Sequence, residues 1–175
     1  SKTGSFLEVE GRQVPVSNLD KVLFPATGFT KGLVLDYYIQ IAPVLLPHLR
    51  QRAITLKRYP EGVRGPFFYE KRCPIHRPDW VDTAAIWSKH NQDEIEFCVI
   101  NDLPTLIWAA NLADLELHTS LALSKDVDRP TALVFDLDPG PPANAVQCAE
   151  VALLIRDIFR RLQLQCWIKS SGSKG

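Results

Sequence analysis

What this 175-residue sequence lacks sets its first limits. It contains no uninterrupted run of about 18 apolar residues, the length a helix needs to cross a bilayer. Its first residues do not follow the basic, apolar, small-residue order of a secretory leader, so the cytoplasm is the expected compartment and no membrane the expected partner. Cysteines stand far apart at Cys73, Cys98, Cys148 and Cys166, and Cys98 lies inside the apolar run IEFCVI. Packed, reduced thiols are expected from that pattern rather than bridges. Cys73-Pro-Ile-His76 has no second Cys or His pair nearby, which argues against zinc. Net charge is absent as well, Lys+Arg 20 against Asp+Glu 20, although the balance is not local. Through residue 72, eleven Lys or Arg face six acidic residues; from residue 73 on, nine face fourteen. A basic part suited to polyanions beside an acidic part suited to metal is one account of this asymmetry, and chance clustering is the other. No low-complexity linker divides the chain, and an apolar fraction of 46% fits one folded domain of ordinary size.

The stretch richest in implied chemistry is TALVFDLDPG, from Thr131 to Gly140. Leu133, Val134 and Phe135 read as a strand entering a core, and Pro139-Gly140 as the turn that ends it. Alternation along a strand would put Asp136 and Asp138 on one face with β-carbons roughly 7 Å apart. Two carboxylates so placed repel unless a cation joins them, and an all-oxygen pair suits Mg²⁺ or Mn²⁺. Alternatively, Asp-Pro-Gly is an exposed turn and Asp136 a solvated strand end. The other familiar setting for an apolar strand ending in DxD, a DxDx[T/V] phosphatase, is disfavoured because Pro139 and Gly140 follow.

Elsewhere the pattern predicts a hairpin over 5–16 around Gly11-Arg12, and a helix from Thr30 as N-cap to about His48 with Leu33, Tyr37, Ile41, Val44 and Leu45 on its inner face. Pro43 and Pro47 should kink or divide that helix. Lys21 and Lys31 bracket its start, either as ordinary surface lysines or as a pair that meets a phosphate together with free N–H groups of the first turn. Ala53 to Tyr59 reads as a strand ending in Lys57-Arg58. The aromatic triplet Phe67-Phe68-Tyr69 follows, with basic residues on both sides. Cations for phosphates and rings for bases make a nucleic-acid platform; core filling by one or two of the rings is the competing use. Strands are predicted over 83–88 and 95–100, a helix from Leu103 to Leu112 capped by Asp102, and a strand over 115–120 that turns Leu115 and Leu117 inward and leaves Glu116 and His118 on the wet face. A further helix spans about 144–162, with Ala145, Ala149, Ala152, Leu153, Phe159 and Leu162 on its buried side, then a strand over 165–169. The closing Ser170-Ser171-Gly172-Ser173-Lys174-Gly175 could wrap backbone N–H groups around a phosphate, though it lacks P-loop spacing and could equally be a tail. If the strands ending at Asp138 and Lys169 lie side by side, that loop and the aspartate pair are neighbours.

Taken together, NLDKVLFPATGFTKG (18–32), AITLKRYPEGV (53–63), FFYEKR (67–72), LELH (115–118), LVFDLDPG (133–140) and SSGSKG (170–175) resemble, in order, the polymerase domain of bacterial DNA ligase D, in the archaeo-eukaryotic primase superfamily. The resemblance implies an α/β fold of the primase-polymerase kind, with helices packed on a mixed or antiparallel sheet. It implies one domain over 1–175, a basic N-terminal lobe to about residue 110 and the start of a catalytic lobe over about 111–175. Asp136 and Asp138 become catalytic ligands of Mn²⁺ or Mg²⁺, and His118, Ser171, Ser173 and Lys174 contacts to an incoming ribo- or deoxyribonucleoside triphosphate. Lys21, Lys31 and Lys57 would meet the 5′-phosphate of a DNA end or gap, and Phe67 and Phe68 would stack on template or primer bases. The implied partners are 5′-phosphorylated DNA, end-joining proteins and a ligase, and the implied activity is gap filling in bacterial non-homologous end joining, on DNA in the nucleoid. The family's third carboxylate lies downstream of SxGxKG and has no counterpart here, so the catalytic sheet and its two-metal site are expected to be incomplete and the chain inactive alone. A non-catalytic module that docks 5′-phosphorylated ends is the alternative.

Overall fold

A computed structural model describes residues 5–170. The chain forms two compact units, one running through Ala132 and the other beginning at Leu133.

The first unit opens with the expected hairpin, β1 (Ser5–Val9) and β2 (Arg12–Val16). Its turn holds Glu10 and Gly11 at φ 47° and 76°, the left-handed pair that a tight hairpin needs. The short ribbon β3 (Val22–Phe24) and β4 (Phe29–Thr30) leads straight into α1 (Lys31–Leu49). Thr30 caps that helix by accepting from the Leu33 N–H, as its sequence position predicts. The buried stripe is not the expected one: Val34, Leu35, Tyr38, Ala42, Leu46 and Leu49 face inward, while Leu33, Tyr37 and Val44 are largely exposed. The helix carries two apolar stripes, and the longer one, which reaches Leu49, wins the core. Pro43 and Pro47 lie within one continuous helix rather than dividing it. Among the described residues α1 alone is long and apolar enough to span a bilayer, yet this inner stripe is committed to the core.

The main sheet is centred on β5 (Ala53–Arg58). Along one edge β5 pairs with β9 (Asp114–Thr119); along the other its two halves pair with β6 (Phe68–Glu70) and β8 (Asp93–Val99), and β7 (Thr83–Ser88) closes a hairpin on β8. Every ladder among the described residues is antiparallel, which agrees with the expected α/β class of helices on an antiparallel sheet. Between β8 and β9 runs α2 (Leu103–Asn111), capped by Asp102 as expected and packed on α1 and β2. Ile54, Leu56, Ile100, Leu106, Ile107 and Trp108 are essentially solvent-free at the centre of this core.

The reduced-thiol expectation fails for two cysteines. Cys73 and Cys98 form a disulfide with Cα atoms 4.8 Å apart. The loop after β6 folds back on β8, where the Cys73 N–H donates to the Glu96 carbonyl, so two distant sequence positions become neighbours. Cys148 and Cys166 are free thiols.

In the second unit α3 (Ala145–Arg161) carries the Asn144/Gln147 capping box. None of its residues is buried, contrary to the inner face expected of it. The strands expected over Leu133–Asp138 and 165–169 do not form either. A strand exists only through its ladder, and neither apolar segment finds a partner among the described residues; Leu133, Val134, Trp167 and Ile168 stay exposed.

Candidate functional site

The outward face of the β9–β5–β6 sheet brings together three of the six predicted site residues of the first unit, Lys57, Phe67 and His118. Register does this: Lys57 is paired with Glu116 on one side and Tyr69 on the other, and Thr55 is paired with His118. Because side chains alternate, Lys57 and Tyr59 share a face with Glu116, His118 and Tyr69. Lys57 Nζ lies 2.7 Å from Glu116 Oε1 and sits among three rings, 4.4 Å from the centre of Phe67, 5.4 Å from Tyr59 and 5.5 Å from Tyr69. The Tyr59 hydroxyl donates to the same Glu116 oxygen. The second oxygen, Oε2, lies 3.1 Å from His118 Nε2, and the imidazole rests edge-on to Tyr69.

Desolvation is the largest single influence on Glu116 and pushes its carboxyl upward. The combined hydrogen bonds from Lys57, Tyr59 and His118 outweigh it and bring the pKa down to about 2. The same contacts, with Glu116 first and Tyr59 second, hold the Lys57 amine above its ordinary range. Desolvation, then the bond to Glu116, raises the Tyr59 hydroxyl.

Core filling by the triplet is excluded by exposure, 51%, 44% and 54% for Phe67, Phe68 and Tyr69, but alternation along β6 sets Phe68 on the opposite face from Tyr69 and Lys57. Phe68 lies over the Arg58 guanidinium, which pairs with Glu70 at 2.7 Å. The loop before these rings is pinned by Gly62, at φ 80°, where a β-carbon would come within 2.7 Å of the Leu23 carbonyl oxygen. Glu61 beside it pairs with Lys21, Nζ to Oε1 3.0 Å.

Lys21 and Lys31 are neighbours, as expected, through the Lys31 N–H that donates to the Lys21 carbonyl. Lys31 is only 5% exposed, its Nζ donating to the Asn111 carbonyl and the Ser17 hydroxyl. Burial, and then the charge of Lys21, lowers its pKa. Contrary to expectation, the first-turn N–H groups are not free for an anion. Those of Lys31, Gly32 and Leu33 already donate to the Lys21 carbonyl, the Leu19 carbonyl and the Thr30 hydroxyl. The chain entering the helix folds back on the first turn and saturates it.

Asp114, unnoticed in the sequence, is the one fully buried carboxylate of this unit among the described residues. Its Oδ1 accepts from the Lys57 N–H at 2.8 Å, and its Oδ2 has no partner. Desolvation raises its pKa to about 8, only partly countered by that N–H and by Arg58. Simple alternation would place Asp114 beside Glu116 and His118 on the wet face. A register shift between Lys57 and Arg58 sets Asp114 out of phase and turns it inward.

Asp136 and Asp138 belong to the second unit, both exposed. As hard oxygen donors two residues apart they fit part of the ligand set of a Mg²⁺ or Mn²⁺ ion, which commonly uses one or two carboxylates and completes its shell with water and phosphate. No cluster of three His, Cys, Asp or Glu suited to a metal occurs among the described residues. Ser171, Ser173 and Lys174 lie outside the described residues.

An antiparallel sheet backed by helices, with a cation-and-aromatic face, has the architecture of a primase-polymerase domain. It superposes on the polymerase domain of Mycobacterium tuberculosis ligase D, solved in complex with DNA, with a TM-score of 0.82 and 36% identity over 93% of this chain and 58% of that one. The family model described as "LigD, primase-polymerase domain" matches residues 30–175, and the chain belongs to that family. It is 39% identical over 165 residues to the multifunctional non-homologous end joining protein LigD of Mycolicibacterium smegmatis, covering 93% of this chain and 21% of that protein. To the bifunctional LigD of Bacillus subtilis it is 32% identical, over 91% of this chain and 25% of that protein. The chain thus spans about a quarter or less of these relatives.

Proposed function

We propose that this chain is the N-terminal part of a DNA-repair nucleotidyltransferase that adds ribo- or deoxyribonucleotides to a primer 3′-hydroxyl while filling gaps in non-homologous end joining. The observation that carries the reading is the convergence of Lys57, Phe67 and His118 on one sheet face of a chain so similar to a DNA-bound polymerase domain. In this reading His118, with Ser171, Ser173 and Lys174, neutralises the triphosphate, and Phe67 and Phe68 stack on bases. Asp136 and Asp138 hold the divalent ion, Mn²⁺ or Mg²⁺, which when bound supplies charge stabilisation at the phosphoryl group under attack. The primer oxygen displaces pyrophosphate at the α-phosphate, so positioning by these side chains is the larger part of what the protein contributes. Work on DNA places the protein in the bacterial cytoplasm, beside end-joining proteins and a ligase. The test is Mn²⁺-dependent nucleotide addition to a gapped, 5′-phosphorylated duplex, by a polypeptide extended to the length of the solved polymerase domain and by the 175-residue chain. Addition that Asp136→Ala abolishes is the expected result; full activity of that variant ends the assignment.

A second reading, docking of 5′-phosphorylated ends without chemistry, is favoured by one observation. Lys31 is a nearly buried cation with a second cation, Lys21, beside it, an arrangement that an incoming phosphate would relieve. Equal affinity for phosphorylated and unphosphorylated ends at fixed salt would remove it, since backbone attraction is common to both.

A further inference from the structure

We propose that Glu116 is the positioning residue that couples the DNA-facing cation to the nucleotide-facing imidazole: one oxygen holds Lys57 and Tyr59, the other holds His118. The inference deepens the proposed polymerase reading and rests on it for the roles of Lys57 and His118. Its geometric basis is independent of those roles. Glu116 and His118 are two residues apart on β9 and share a face, while Lys57 is directly opposite Glu116 on β5. Oε1 takes Lys57 Nζ at 2.7 Å and the Tyr59 hydroxyl, and Oε2 lies 3.1 Å from His118 Nε2. The opposite side of the arrangement is closed by Tyr69, whose ring meets both the imidazole and Lys57 Nζ. With Nε2–H donated to Glu116, Nδ1 is the nitrogen left for a phosphate. It donates to a phosphate oxygen only when it too carries a proton, so the phosphate-bound ring is doubly protonated while the nucleotide-free ring is the Nε2–H tautomer. A carboxylate bound to the far nitrogen of a histidine fixes both tautomer and ring orientation, as it does behind metal-bound histidines. Glu116 also lies between two cationic or potentially cationic groups. Without it Lys57 and His118 would each lose the acceptor that orients them.

The test uses the active polymerase that contains this chain, with variants Glu116→Ala, Glu116→Gln and His118→Ala, singly and combined. Glu116→Ala is expected to raise the nucleotide KM about tenfold, the low end for a lost orienting partner, while kcat at saturating nucleotide changes far less. In the Glu116→Ala background, His118→Ala should cost much less than it does alone, because the histidine is already misplaced. Glu116→Gln, which keeps an acceptor for His118 Nε2–H, should recover part of the lost affinity and covers the case in which the alanine variant folds poorly. Nitrogen-15 imidazole spectra of the nucleotide-free protein should show His118 protonated at Nε2 in the wild type and a mixed tautomer in Glu116→Ala. If His118→Ala alone leaves the nucleotide KM unchanged, the polymerase reading of His118 fails and takes this proposal with it. If His118→Ala has a large effect that adds in full to that of Glu116→Ala, or the tautomer is the same in both proteins, the coupling alone is overturned.

Discussion

Lys57 and Glu116 stand directly across the β5–β9 ladder with Nζ and Oε1 2.7 Å apart, and Tyr59, Phe67, Tyr69 and His118 gather about that pair. A carboxyl held near pKa 2 in the folded protein and in the ordinary range when unfolded stabilises the fold above its unfolded value; the contribution is lost as pH falls toward 2. Glu116 is 43% exposed, so solvent screening limits the effect to about 1 kcal/mol or less. Urea unfolding between pH 6 and pH 2 should therefore show a small acid-side loss in the wild type that is missing in Glu116→Gln. Identical acid profiles would mean the pair contributes nothing to stability.

Replacing Phe67 or Phe68 by alanine should separate binding from folding. Both rings are about half exposed, so thermal stability should change little, whereas stacking on a base is worth about 1–3 kcal/mol. Affinity for single-stranded overhangs, measured by fluorescence anisotropy at fixed salt, should fall by about five- to 150-fold in either variant. Phe67→Ala should also loosen Lys57, which lies 4.4 Å from the ring centre, and so raise the salt sensitivity of what binding remains.

Lys31→Met should abolish any preference for a 5′-phosphate at about the 1.5–3 kcal/mol of a charge-assisted hydrogen bond, while leaving affinity for unphosphorylated DNA nearly intact. Lys21→Ala should cost less, because Lys21 is already engaged by the exposed Glu61. Glu61→Gln should do the opposite and strengthen end binding. Competition assays with matched phosphorylated and unphosphorylated duplexes would check all three.

Legibility from the sequence followed the range of the interactions involved. Local chemistry was readable: the Thr30, Asp102 and Asn144 helix starts, the 5–16 hairpin and the wet-face pairing of Glu116 with His118 all depend on a few adjacent residues. What depended on a partner was not. The α1 stripe was misjudged because two apolar stripes compete and tertiary packing chooses between them. Leu133–Asp138 has strand composition but no ladder, since composition cannot supply a neighbour. Asp114 was missed because the register shift opposite Arg58 breaks the alternation on which inside-outside assignments rest. Tyr59 could have been found by carrying the alternation from Lys57 along β5.

The Cys73–Cys98 bridge closes a loop with a sequence separation of 25, and both sulfurs sit in the core. Chain-entropy arguments assign a loop of that size about 3.5 kcal/mol. Replacing both cysteines by alanine should lower urea stability by about that amount, with the sheet face and its DNA affinity preserved, because neither cysteine belongs to that face. A double variant as stable as the wild type would show that packing, not the covalent link, holds the loop after β6 to β8.

Asp114 gives the stability of the first unit an unusual pH dependence. Its folded pKa is raised to about 8 while the unfolded value is ordinary, so between roughly pH 4 and pH 8 the folded state binds the additional proton. Stability from this group is fully present below the unfolded value and declines as pH rises through the folded one. The slope is at most about 1.4 kcal/mol per pH unit. Asp114→Asn keeps an oxygen for the Lys57 N–H, which donates to Oδ1 at 2.8 Å, and removes the titration. Its stability should be flat across that window, crossing the wild-type curve so that the variant is the more stable protein near pH 8. Equally steep curves for both proteins would show that Asp114 is ionised in the fold, with its partnerless Oδ2 reached by solvent.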